Sequence, residues 1–266
     1  MPRKTFHSLA HAVFAATMIF LGATSLIQGD LAPIWIGAAT DTPRHGALVY
    51  LSGGFALAGG LGLLWRQTAS HAARLLLAFL LFWLVAFKAP FILRAPLQEV
   101  SYQSFAMTSV IVAGAWVLYA QLATGWERRR VSFVTGESGV RIARLLYGLS
   151  LLAFGLSHFF YLNMTAPLVP SWLGWQVGWA YFTGCTYLVA GVAILVRVMD
   201  RLAAVLSAIQ MGLFLPLVWL PIAIAGQLSA FQRIETVDTW VLAVSAWVVA
   251  ESYRGADWGI DALRHS

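Results

Sequence analysis

The chain has 266 residues, of which 60% are hydrophobic and only 11% charged. Soluble domains carry about 25% charged residues, so a soluble protein with a single anchor is excluded. The net charge of +6 is spread along the chain as loops orient membrane spans and does not point to nucleic acid. The one cysteine, Cys185, excludes an internal disulfide or dithiol relay and reads as a small packing residue.

Crossing about 30 Å of hydrocarbon takes about 20 apolar residues. Eight such runs follow one another, at 8–28, 46–65, 73–93, 103–123, 142–162, 178–196, 202–224 and 237–252. The start Pro2-Arg3-Lys4 followed by an apolar run would suit a signal peptide. The first run has a counterpart later in the chain, however, so it is read as a retained span. Thirteen of the 17 Lys and Arg fall in alternate connections and both tails, including Arg66, Arg74, Arg128, Arg129, Arg130, Arg197 and Arg201. The positive-inside rule then places both termini in the cytoplasm of a bacterial inner membrane.

Residues 50–66, YLSGGFALAGGLGLLWR, align without a gap on 181–197, YFTGCTYLVAGVAILVR, at an offset of 131. The same offset sets Ala115-Trp116-Val117 over Ala246-Trp247-Val248, and Ala32-Pro33 answers Ala166-Pro167. The expected fold is therefore an all-α membrane protein, with eight transmembrane helices arranged as two parallel-repeat four-helix bundles. Residues 1–125 form the first repeat, 126–141 a basic cytoplasmic linker, 142–254 the second repeat and 255–266 a cytoplasmic tail. Ser52, Ala56 and Gly60, and more loosely Gly184, Leu188 and Gly191, supply small-residue faces for helix contact.

Polar groups inside a bilayer are costly and are functional candidates by default. His158 lies about 16 residues into the fifth run, hence about 24 Å from the cytoplasmic end, and Lys88 has a similar depth in the third. Tyr50 and Tyr181 open the second and sixth runs at that level, with Asn163, Trp172 and Trp179 just above. Such a layer suits a quinone-like head group, whose reduction requires protons on two carbonyl oxygens. His158 would donate the proton, Lys88 would act electrostatically beside a carboxylate such as Glu99 or Asp30, and Tyr181 would donate a hydrogen bond. Tyr50, Trp172, Trp179 and Asn163 would line the pocket. Each also has a plainer reading. Lys88 can snorkel, His158 can satisfy a neighbouring carbonyl, the aromatic residues can form an interfacial belt, and Gln210 can bond between helices. Pro90, Pro216 and Pro221 interrupt the third and seventh runs and predict kinks there. No metal cluster, nucleotide fingerprint or haem-type histidine pairing is present in the sequence.

Gly155-Leu156-Ser157-His158-Phe159, Ala166-Pro167-Leu168-Val169-Pro170-Ser171-Trp172 and Trp179-Ala180-Tyr181-Phe182-Thr183-Gly184 with Ala190-Gly191 resemble the DoxX-like membrane proteins. The resemblance is clearest over 145–200 and looser over 15–66. It implies four-helix membrane units, some of which serve as subunits of thiosulfate:quinone oxidoreductases or as partners of redox enzymes. The expected function is a redox-linked, quinone-interacting membrane subunit that draws electrons from a partner protein or bound substrate, as a monomer or homo-oligomer. Binding or transport of a small hydrophobic solute, and a scaffold for partner proteins, are the alternatives.

Overall fold

The computed structural model describes residues 8–35, 45–226 and 228–258, which are helical with no strand among them. Seven helices are long and apolar enough to cross a membrane. They are α1 (Leu9–Gln28), α2 (His45–Leu63), α3 (Ala69–Arg94), α4 (Glu99–Leu122), α5 (Gly136–Phe160), α6 (Gln176–Val196) and α7 (Asp200–Ile224). A further long helix, α8 (Ala230–Glu251), carries Arg233, Glu235 and Asp238 in its first half and is not among the seven.

Local chemistry sets the helix ends. The Ser8 side chain accepts the His11 N–H at 3.2 Å to open α1, and Gly29 closes it at φ +68°, a conformation glycine adopts without strain. Ser229 and Gln232 form a capping box at the start of α8. Thr124 and Glu127 form another on a short helix, Gly125–Arg130, so the expected linker is partly helical. α5 begins at Gly136 rather than near 142, because the polar first turns containing Glu137 and Arg141 continue the helix without adding hydropathy.

Glycines set the closest helix contacts. A Cβ on Gly22 would lie 2.6 Å from the Gly53 carbonyl, and one on Gly60 2.7 Å from the Ala15 carbonyl, so α1 and α2 meet backbone to backbone. α5 and α6 meet likewise: a Cβ on Gly155 would sit 2.8 Å from the Gly184 carbonyl, and one on Gly191 2.8 Å from that of Gly148. Neighbouring helices then pack in two series, α1 to α4 and α5 to α8. Between the series, α4 packs on α5 and α8, and α8 packs on α1. Where α4 crosses α8, a Cβ on Gly114 would lie 3.2 Å from the Cα of Ser245.

The kinks expected from proline take the form of π turns. α3 widens to a π turn over Leu84–Lys88, just before Pro90, and α7 over Leu215–Trp219, which contains Pro216 and precedes Pro221. The extra residue in each turn accommodates prolines that cannot donate an N–H and crowd the preceding carbonyl. The α2–α3 and α4–α5 connections lie together at one end, here the basic end; the Pro33–Trp35 turn and the ends of α3 and α5 that lead into their next helices lie at the other, the far end.

Candidate functional site

Lys88 closes the π turn of α3 near the far end and is only 5% exposed. Its ammonium donates to Ser104 Oγ of α4 at 3.1 Å. On α8, Asp238 is 6% exposed, interacts electrostatically with Lys88, and has no hydrogen-bond partner for Oδ1 among the described residues. Glu235, one helical turn earlier, acts on Asp238 as a like charge. These groups line one cavity of about 170 Å³, with Met107, Thr108 and Ile111 of α4 and Leu242 of α8. Pro33 and Ile34, from a single 3-10 turn at Pro33–Trp35, complete it. Behind that turn, buried Trp35 packs on Phe79 and Trp83 at 5.3 and 4.9 Å between ring centres.

The lining has an internal pattern. Ser104 and Glu235, Met107 and Asp238, and Ile111 and Leu242 are each 131 residues apart. The residue 131 beyond Lys88 is Trp219, which is buried and donates through Nε1 to Thr239 Oγ1 at 2.9 Å. Where α3 offers a cation, α7 therefore offers an indole. An opposite-charge pair in low dielectric is tolerated only with good geometry and further hydrogen bonds. Pockets for drug-sized ligands run to roughly 300–1,000 Å³, and this cavity is smaller than that range.

The other sequence-predicted site residues lie outside this cavity. His158 is half-buried near the end of α5, with Nδ1 against the Phe154 carbonyl at 2.8 Å. Its ring packs on Tyr187 and Phe214, centres 5.7 and 6.4 Å away. Tyr181 is exposed and packs on Phe159, Tyr50 and Trp172 are 65% and 71% exposed, and Trp179 and Asn163 are also exposed. Equal depth along the chain axis does not bring residues together, because α3 and α5 present those levels at different positions around the bundle.

The carboxylates foreseen for Lys88 are engaged elsewhere. Glu99 accepts from the Ser157 hydroxyl, while Asp30 accepts the Leu31 N–H at 2.7 Å and lies 3.3 Å from His45 Nε2. Asp238 takes that role, with Glu235 beside it in the same cavity. The signal that would have found them is the 131-residue register, which sets two acids on α8 over Met107 and Ser104. Gln210 does join two helices, donating to the Thr183 carbonyl and accepting from Thr186. Cys185 is exposed rather than packed. Among the described residues no group of histidine, cysteine and carboxylates could hold a metal ion.

No family model, curated protein or solved structure matches this chain.

Proposed function

We propose that the chain is an eight-span bacterial inner-membrane protein built from two parallel four-helix repeats, DoxX-like in its second repeat. We further assign its Lys88–Asp238 cavity to the head group of a quinone, in a redox-linked membrane subunit. The observation that carries this reading is a buried lysine and a buried aspartate, contributed by separate helices to one cavity at the far end.

The repeat reading is supported by three features at the same offset. The π turns start at Leu84 and Leu215, 131 residues apart. The helix-pairing glycines Gly53 and Gly184 share that spacing. Gly114 meets Ser245, its own counterpart, as residues on a two-fold axis do. As an eighth span, α8 has 22 residues, about 33 Å of helix. The two acids in its first half, Glu235 and Asp238, face the cavity instead of lipid. An even number of spans keeps both termini on the basic side, which the positive-inside rule makes cytoplasmic.

Two-electron reduction of a quinone adds two electrons and two protons, one proton on each carbonyl oxygen. Lys88 donates a hydrogen bond to one oxygen, which favours charge building there. Asp238, carrying a proton taken up from the aqueous side, passes it to the other oxygen; Lys88 gives the first oxygen its proton, and both groups are reprotonated from water. The electrons come from a partner protein. His158, held by Phe154, Tyr187 and Phe214, packs the second repeat and takes no part in this traffic.

Purification in mild detergent, lipid extraction and mass spectrometry test the assignment. Quinone co-purifying with wild type and absent from Lys88→Met and Asp238→Asn is the expected result. A different small apolar ligand lost in the same variants would favour a solute binder or transporter, a reading that the π turns of α3 and α7 favour as points of movement.

A further inference from the structure

At the basic end, about 27 Å along α3 from Lys88, a second cavity of about 240 Å³ opens between the α2–α3 turn and the end of α4. We infer that it binds a phosphate-type anion, with the head group of an anionic phospholipid as its source. Arg66, Gln67, Ser70 and His71 line it from one side, Gln121 and Thr124 from the other, and buried His11 from α1.

Among the described residues the lining is rich in donors and holds no carboxylate. The side chains of Arg66, Gln67, His71 and Gln121 make no hydrogen bond or ion pair among the described residues. The nearby acid is already engaged: Glu127 accepts from Ser70 at 2.9 Å and from the Thr124 N–H and hydroxyl at 2.8 and 2.9 Å, and pairs with Arg74 at 3.2 Å. It therefore neither occupies Arg66 nor offers the cavity a free negative charge. The first turn of α3 also lacks a side-chain cap, because the Thr68 hydroxyl bonds back to the Gly62 and Trp65 carbonyls. Uncapped first-turn amides favour an anion, and a planar guanidinium suits phosphate oxygens. Beside Arg66, Trp65 is 62% exposed, an amphipathic ring suited to the head-group layer. Basic pockets between spans bind anionic lipid head groups in this manner.

The test uses the full chain in detergent micelles, with phosphatidylglycerol, phosphatidylcholine and inorganic phosphate as separate probes and native mass spectrometry with thermal midpoint as readouts. Phosphatidylglycerol is retained in preference to phosphatidylcholine and raises the midpoint. Arg66→Gln and His71→Gln each weaken retention roughly tenfold, the loss of one charge-assisted hydrogen bond. Arg254→Gln, whose arginine pairs with Glu251 instead, retains it fully. Competition by millimolar inorganic phosphate, without selectivity between lipids, would identify free phosphate as the ligand and overturn the lipid source. Equal retention of both lipids with no phosphate effect would overturn the site itself, as would unchanged retention in both cavity variants. Both residues are exposed, and a monodisperse elution profile checks that each variant folds. Gln121→Leu serves as a further cavity variant. Lys88→Met should retain phosphatidylglycerol, which separates this site from the far-end cavity.

Discussion

Lys88 and Asp238 show how much one pair can decide. A buried pair that loses one member leaves an uncompensated charge, at a cost of about 3–5 kcal/mol. Lys88 and Asp238 act on each other through space rather than as a close ion pair, so Lys88→Met and Asp238→Asn should each lower stability by less than that, and the double variant should recover part of the loss. A double-mutant cycle on unfolding in detergent measures the coupling, and strict additivity would mean the two charges do not see one another. Glu127, between the spans at the basic end, makes a pH prediction. Burial pushes its carboxyl up, but hydrogen bonds from Thr124 and Ser70 and the charge of Arg74 prevail, holding it below the ordinary carboxylate range. A carboxyl that is more acidic folded than unfolded stabilises above its unfolded value, and the contribution disappears as pH falls through its folded one. Glu127→Gln should therefore cost about 2 kcal/mol near neutrality. The gap between the two thermal midpoints should close as the pH is taken down into the acid range.

Among the elements, α1 and α2 make the sharpest prediction. A Cβ on Gly22 would meet the Leu57 backbone nitrogen at 2.4 Å, so Gly22→Val has to push the helices apart. A loss of about 1–3 kcal/mol is expected, while Gly54→Ala, with open space around it, should leave the thermal midpoint unchanged or slightly raised. This contact was partly legible in the sequence. The small-residue faces of α2 and α6 could be read, but their partners, Gly22 on α1 and Gly148 and Gly155 on α5, could not, since spacing within one helix does not name the helix opposite. The proline interruptions of α3 and α7 were legible too, though their form was not: a π turn is a choice between widening and bending that the surrounding packing makes. The cavity was half legible. Hydropathy gave the depth of Lys88, but depth is one coordinate, and the angular positions that turn Asp238 toward it and His158 away come from packing. Asp238 also lay at the edge of the run expected at 237–252, where a charge reads as a span end.

For the whole molecule, the eight-span reading makes a topology prediction. With Cys185 replaced by serine, single cysteines at Gln67, Ser132 and Arg254 should react with impermeant maleimide from one side of the membrane. Cysteines at Ala95 and Ser171 should react from the other. Reaction of the Arg254 position together with Ser171 would mean that α8 does not cross. The central claim, that the Lys88–Asp238 cavity holds a quinone head group, is most directly tested by titrating the purified protein with a short-chain quinone while following tryptophan fluorescence, since Trp35 and Trp83 stand behind the cavity wall. Saturable quenching is predicted for wild type and for His158→Ala, with affinity at least tenfold weaker in Lys88→Met and in Asp238→Asn. Unchanged affinity in both cavity variants, or its loss in His158→Ala alone, would contradict the account.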